Sequence, residues 1–523
     1  MVGTKARVLR DTYQDSIVLM RAAGEVLSNF ELDDAFAIVG TEANLEVLAG
    51  ADLMTSEASD ATPSDVVLAV KGDVDDEVLE EALQAMEDVL EAGGSVASNG
   101  EGGGAKIGPA SLSGALRRVP GANLAVVSTP GEYAAREAWK ALKKGLHVHL
   151  FSSDVSLEEE VALKQYGTEA GLLVMGPDAG TAWINGMPLG FANAVKPGSV
   201  GIVSAAGTGL QEVMSLVDRF GGGISQALGT GGRDLSDEVG GSMMRFGLRA
   251  LDEDPSTEVI VLVSKPPGAG TLEKMVAELK TSSKPIVVDF IGGELKLDDA
   301  PDVFVVDTLE DAAVRAVELL GLSVDSEALE LEAVVETLLL PMREGQAGGG
   351  RRYLRGLYSG GTLASEAVLL LEEALGEVHS NISIGTPLAD VKRLTRHSIV
   401  DYGDEEFTRG RPHPMLDPRV RNDSLEESLA DAEVAVVLLD VVLGYGAHED
   451  PSREIAEIVA GIPAEDRPAV VVSVCGTEAD PQVYSQQKEN LESAGVYVAR
   501  SNAAAVRIAG ATALRFESEE ATG

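Results

Sequence analysis

The chain has 523 residues with 41 basic and 85 acidic side chains, a formal charge of 41 − 85 = −44, and only 4% aromatics. A chain this long is expected to hold several domains, with cores packed from Ala, Val, Leu and Gly. The missing basic footprint excludes nucleic-acid binding, and no apolar stretch approaches the roughly 20 residues needed to span a bilayer. The acidic residues are spread along the chain, and only 15 of the basic residues are Lys. Such a surface stays hydrated in concentrated salt, which points to a halophilic source. Met1–Arg10 lacks the apolar centre of a signal peptide, so a cytoplasmic location is expected. A single cysteine, Cys475, excludes an internal disulfide and a cysteine-based zinc site.

In chain order, residues 1–115 read as a small N-terminal α/β domain. Residues 15–27 have helical spacing, while 35–39 and 66–70 are strand-like. Residues 77–92 form an amphipathic helix with Leu79, Leu83, Met86 and Leu90 on its apolar face. The glycine-rich stretch 93–104 reads as a linker. A second unit, 116–195, alternates strands (124–127, 148–151, 172–175) with helices (132–144, 157–170). His147 and His149 share one face of a strand there. A third unit, 196–325, carries strands at 200–203, 259–263, 285–288 and 303–306. A helical segment (326–340) and a loop (345–350) lead to a fourth unit, 353–515, with strands at 353–358, 433–439, 469–473 and 496–499. Strands rich in Val and Leu with helices between them predict α/β folding, with doubly wound parallel sheets covered on both faces.

Two turns of one kind stand about 155 residues apart, Ser204-Ala-Ala-Gly207-Thr208 and Ser359-Gly360-Gly361-Thr362. Each follows an apolar run and opens a helix pattern that carries a glutamate, Glu212 or Glu366. Backbone N–H groups at the positive end of a helix dipole suit a phosphate or carboxylate, so both turns are candidate anion sites.

The last unit holds further candidates. In Gly410-Arg411-Pro412-His413-Pro414-Met415-Leu416-Asp417 the prolines stiffen a loop able to present Arg411, His413 and Asp417 as a catalytic set. Arg411 would grip an anionic group, and His413 would exchange a proton. Asp440 and His448 follow the apolar run 434–439. Cys475, Gly476, Thr477 and Asp480 follow the run 469–473. Loops at the C-terminal ends of parallel strands bind ligands, so these six are candidate substrate contacts. Nothing basic flanks Cys475, which reads as a pocket lining rather than a nucleophile. No spacing specifies a metal site, and no metal is expected.

Residues 121–320 resemble the α subunit of succinyl-CoA synthetase through Lys196-Pro-Gly-Ser-Val-Gly-Ile-Val-Ser204, Gly207-Thr208, Met175-Gly-Pro-Asp178 and Ser283-Lys-Pro-Ile-Val287. The resemblance implies a Rossmann-like CoA-binding-type domain followed by two flavodoxin-like domains, with Ser204, Gly207 and Thr208 against a phosphate. Two departures stand out. The family's phosphohistidine segment is replaced by Asp289-Phe-Ile-Gly-Gly293, and no strand followed by a CoA-type glycine turn occurs in the first 50 residues.

The whole chain is similar to the FdrA proteins. Asp11-Thr-Tyr-Gln-Asp-Ser16, Tyr358-Ser-Gly-Gly-Thr-Leu363, Gly410–Asp417, Leu439–His448 and Val474–Gln482 carry that likeness. It implies a component of oxamate carbamoyltransferase, acting in purine and allantoin nitrogen salvage with partner subunits encoded nearby. The substrates would be small anions, with phosphate or carbamoyl phosphate as ligand and no other certain cofactor. It implies an assembly of like or unlike chains. The alternatives are an acid–CoA ligase subunit, disfavoured with CoA itself by the two departures, and a non-catalytic metabolite-binding scaffold.

Overall fold

The computed structural model describes residues 3–520 apart from 11, 13, 15, 31, 52, 94–108, 110, 294, 296, 298, 325–330, 345–349, 392 and 410. The expected linker at 93–104 and most of the 345–350 loop therefore lie outside the described residues, as do Asp11, Tyr13, Asp15 and Gly410 of the motifs above. Two compact units are present: 1–122 with 405–413, and 123–404 with 414–523.

The first unit runs β1 (Gly3–Leu9), α1 (Ser16–Asn29), β2 (Asp34–Val39), α2 (Glu42–Gly50), β3 (Val66–Gly72), α3 (Asp76–Gly93) and α4 (Leu112–Arg118). The strands form an antiparallel sheet in the order β1-β3-β2. Alternation along β3 explains its central place. Val66, Leu68 and Val70 pack with α1 and α3, while Val67 and Ala69 pack with Leu48 and Leu53 on the other face. Strand β1 has no counterpart in the sequence reading because Lys5 and Arg7 interrupt its apolar residues. Its cations pair with Asp76, Glu80 and Glu87 of α3.

The second unit begins with β4 (Leu124–Val127), α5 (Gly131–Leu142), β5 (His147–Leu150), α6 (Leu157–Ala170) and β6 (Val174–Met175), a small parallel sheet. A hairpin, β7 (Thr181–Ile184) and β8 (Met187–Gly190), follows. Then come β9 (Pro197–Ser204), α7 (Gly207–Arg219), β10 (Ile224–Gly229), α8 (Ser242–Glu253), β11 (Val259–Ser264), α9 (Ala269–Leu279), β12 (Ile286–Phe290), β13 (Val303–Val305) and α10 (Leu309–Leu319). These strands lie in the order β13-β12-β11-β9-β10-β7-β8. The five central strands are parallel, but the hairpin pairs antiparallel, a departure from the all-parallel expectation.

After α11 (Leu331–Glu344) the pattern recurs: β14 (Tyr353–Tyr358), α12 (Gly361–Leu375), β15 (His379–Ser380), β16 (Thr386–Pro387) and β17 (Ser398–Asp401). A single helical turn, α13 (Glu405–Thr408), falls in the first unit. Next are α14 (Arg419–Ala430), β18 (Val434–Val442), α15 (Pro451–Ala460), β19 (Ala469–Cys475), α16 (Tyr484–Ser493), β20 (Tyr497–Ala499) and α17 (Asn502–Glu520). This sheet is wholly parallel, ordered β16-β15-β17-β14-β18-β19-β20.

The two seven-stranded sheets share one layer of four helices. Helix α7 packs on α10 and α12 on α17, while α7 also meets α12 and α10 meets α17. Leu210, Val213, Ala313, Val317, Leu363, Ala367, Ala505 and Ile508 of these helices belong to a single buried core. Small residues let the helices approach closely, which is why a chain so poor in aromatics still closes its interior. Among the described residues no helix is long and apolar enough to cross a membrane.

Candidate functional site

Each glycine turn lies where the first strand of a parallel sheet hands over to the first helix of the shared layer. Helix α7 is N-capped by Ala206 and α12 by Gly360, and no side chain caps either end. The two helix starts meet. A Cβ placed on Gly209 would lie 2.8 Å from Thr362 Cγ2, and one on Gly360 would lie 2.9 Å from Thr208. Only glycine at those positions allows the approach, and it brings two positive dipole ends together.

The turns differ in what fills them. At the first, the Ser204 hydroxyl bonds the amide and carbonyl of Ala206 at 3.0 and 2.8 Å, and the Ala205 amide donates to the Val263 carbonyl. At the second, the Ser359 and Gly360 amides donate to the two carboxylate oxygens of Asp440 at 2.7 and 2.8 Å. Asp440 does not follow its strand as read from sequence, since β18 runs on to Val442 and holds the carboxylate beside the turn. Arg421, 2% exposed, donates from Nη1 to Ser359 Oγ and to the Asp440 carbonyl, both at 2.9 Å, and lies 3.6 Å from Asp440 Oδ1. Burial raises the Asp440 carboxyl, while Arg421 and the two amides pull it back.

Three further acids surround this centre. Asp401 ends β17, and its Oδ2 would lie 2.5 Å from a Cβ on Gly361. Burial first, then Asp440, pushes its carboxyl up to about 7. Glu366 of α12 accepts from the Leu309 amide at the start of α10 (2.8 Å) and from Asn502 Nδ2 (2.7 Å), and burial raises it to about 7. Glu212 of α7 answers it by pseudo-symmetry, accepting from the Asn502 amide at the start of α17 (3.0 Å). The glutamate of each turn thus caps the last helix of the other sheet. Asp289, in the segment that departs from the succinyl-CoA synthetase pattern, is fully buried with both oxygens unpartnered, and burial followed by Glu366 raises it well above the carboxylate range.

The remaining sequence candidates make other contacts. Arg411 lies 3.6 Å from Asp34 and 5.8 Å from the Phe36 ring, within the first unit. Asp417 pairs with Arg419. Burial lowers His413 to about 4, so its imidazole is neutral at pH 7 and the expected exchange near neutrality loses its basis. Arg411 and Asp417 each have an ion-pair partner of their own. His448 Nδ1 accepts from the Asp450 amide, and its own amide donates to Met415. Asp480 accepts from Asn193 Nδ2, Ala194 N and Thr477 N, and Thr477 donates to the Ala194 carbonyl, so these two side chains staple the segment leading into β9. Gly476 follows β19 in the same connection. Cys475 is the last residue of β19 and is wholly buried 3.9 Å from Ser215 Oγ. Burial, with Glu212 beside it, raises the thiol well above its usual value. His147 accepts from the Leu173 amide, and burial lowers His149 to about 4.

Sequence reading missed Asp401 and Arg421. An Asp closing the apolar run Ser398–Val400 was the available signal for the first, whereas Arg421 sits in a polar helix with no signal at all.

Residues 357–512 match a family model described as CoA-ligase, and residues 1–106 match one described as AllF, heavy metal-associated domain. Residues 1–106 contain neither histidine nor cysteine, so thiolate and imidazole donors for a heavy metal are missing there. Among the described residues no group of three His, Cys, Asp or Glu is placed to hold a metal ion. The protein YahF of Escherichia coli (strain K12), itself uncharacterised, is 40% identical over 511 residues, covering 96% of this chain and 97% of that one. The α subunit 2 of an ADP-forming succinate–CoA ligase from Archaeoglobus fulgidus is 29% identical over 174 residues, 32% of this chain and 58% of that one. An ADP-forming sulfoacetate-CoA ligase subunit from Bilophila wadsworthia, SauD, is 26% identical over 182 residues, 33% of this chain and 60% of that one. The chain belongs to the FdrA family, and its paired sheets have the fold of the acyl-CoA ligases, with a region like the succinyl-CoA synthetase α subunit.

Proposed function

We propose that the chain is the FdrA-type subunit of a carbamoyl-transferring enzyme that interconverts oxalurate plus phosphate with oxamate plus carbamoyl phosphate. The carrying observation is the pair of helix starts, α7 and α12, set against each other, with the amides of the second turn already holding the Asp440 carboxylate. Amides and dipoles held this way suit a phosphate and the oxyanion that develops when its oxygen attacks a carbonyl. In that step a C–O bond to phosphate forms, the C–N bond to oxamate breaks, and the leaving nitrogen takes a proton. Asp401, which holds a proton near neutral pH against the start of α12, is the acid the geometry favours for that role.

The sequence supports transfer from a preformed phosphate compound over an ATP-driven phosphoenzyme, because residues 150–378 contain no histidine. Working with partner subunits, the protein is expected to convert little substrate alone. The test is to incubate it with oxalurate and phosphate, alone and with the products of neighbouring genes, and measure carbamoyl phosphate. Formation of carbamoyl phosphate only in the reconstituted mixture supports the reading. The CoA-ligase likeness of residues 357–512 favours a second reading, an acid–CoA ligase subunit. ATP-dependent CoA thioester formation without carbamoyl phosphate would establish that reading and remove the first.

A further inference from the structure

The glycine turns lie at the C-terminal ends of their strands. At the opposite end of the second seven-stranded sheet is a cavity of about 200 Å³, bounded by Leu338 and Pro341 of α11, Arg467, Val470 of β19, and Val496 and Tyr497 before and within β20. A seven-residue strand separates the two ends by about 20 Å, so this is not the site described above.

Arg467 gives the cavity its chemistry. The residue is only 4% exposed. Nη1 donates to the Pro468 carbonyl at 3.3 Å, and Nη2 donates to the Ala494 and Gly495 carbonyls at 3.3 and 3.2 Å. Nε is buried and has no partner. Burial alone lowers the guanidinium, with no carboxylate acting against it. Two other buried arginines nearby are treated differently, since Asp431 opposes the burial of both Arg351 and Arg355. Buried charges in proteins are ordinarily paired, and an unmatched N–H in the interior calls for a missing partner. The chain has 85 acids for 41 bases, so a partner carboxylate is the group it could most easily have supplied. None of the described residues provides one.

We propose that this cavity binds a small monocarboxylate with a short apolar tail, its carboxylate completing the Arg467 guanidinium and its tail lying against Leu338, Val470 and Tyr497. A planar guanidinium that lines the cavity without a carboxylate partner among the described residues matches a carboxylate, and the apolar wall selects against fully hydrated inorganic ions. Because Leu338 and Pro341 belong to α11, the segment linking the two large sheets, a bound acid ties that segment to β19 and β20.

The test is calorimetric titration of the full chain at constant ionic strength with propionate, butyrate or benzoate, with inorganic phosphate as the control. Saturable binding of one carboxylate per chain is expected, weakened about ten-fold or more by Arg467→Met. Leu338→Trp keeps the guanidinium and fills the cavity, and it should also weaken binding. That variant decides the matter if Arg467→Met does not fold. The proposal is overturned if wild type binds none of the three acids saturably, if Leu338→Trp binds them as wild type does, or if inorganic phosphate displaces butyrate at equal concentration. Competition is read because the proposed carbamoyl transfer seats phosphate at the starts of α7 and α12, so phosphate binding alone bears on that reading and not on this cavity.

Discussion

Asp440 is where the two glycine turns part company, and replacing it by alanine separates stability from ligand binding. In the folded chain its carboxylate takes the amides of Ser359 and Gly360, with the buried Arg421 guanidinium 3.6 Å away. Removing one partner of a buried charged pair costs about 3–5 kcal/mol, because the other charge is left uncompensated. The two orphaned amides of Asp440→Ala add to that loss. The vacated space then has two free N–H groups, a helix dipole and a cation, the elements of an anion seat. An anion that binds only the folded variant stabilises it by RT ln(1 + [L]/Kd), about 2.7 kcal/mol at a hundred-fold excess over Kd. Urea unfolding followed by circular dichroism, at fixed ionic strength with chloride exchanged for phosphate, measures both effects. The expected result is a lower midpoint for Asp440→Ala, recovered in part by phosphate, with a smaller phosphate effect on wild type. A midpoint unchanged from wild type, or an equal phosphate effect on both proteins, would refute the reasoning.

Lys164 donates to Glu160 (2.7 Å), Asp234 (2.9 Å) and the Thr230 carbonyl (2.9 Å), with all three charged side chains at most 1% exposed. Lys164→Met should therefore destabilise the chain by about 3–5 kcal/mol, read from its unfolding midpoint. Asp401 has a folded pKa of about 7 against an ordinary carboxyl value of 3.8. The folded state holds this proton after the unfolded chain has released it, so its stabilisation is full below about pH 4 and is lost as pH rises to about 7. Asp401→Asn should flatten the pH dependence of the midpoint across that window, and an unchanged slope would contradict the assignment. Arg411, 42% exposed in its pair with Asp34, should be nearly silent when changed to Ala, within about 0.5 kcal/mol in the same unfolding assay.

Much of this architecture was legible because most buried strands are runs of Val, Leu, Ile and Ala, while the mixed strand Tyr353–Tyr358 is marked by the Ser-Gly-Gly-Thr turn that follows it. The strands at 124–127 and 353–358 were placed to the residue, as was the helix at 157–170. The elements that were missed have mixed composition. β1 carries Lys5 and Arg7 with partners on α3, β10 reads Ile-Ser-Gln-Ala-Leu-Gly, and the β7–β8 hairpin includes a proline. Their stability comes from neighbours, which local pattern does not record.

By itself the sequence determined the family, the α/β alternation and the two glycine turns as starts of helices, because periodicity and small-residue turns are local properties. Tertiary structure alone decided that the turns abut, that Asp440 and Arg421 fill the second while Ser204 folds back on the first, and that Glu212 and Glu366 cap helices of each other's sheets. Arg411 pairs with Asp34, far from it in sequence, and Ser359 and Asp440 are 81 residues apart and bonded. Proximity along a chain is set by covalent bonds. Proximity in a parallel sheet is set by strand order, and β14 lies beside β18 only once the whole sheet has formed.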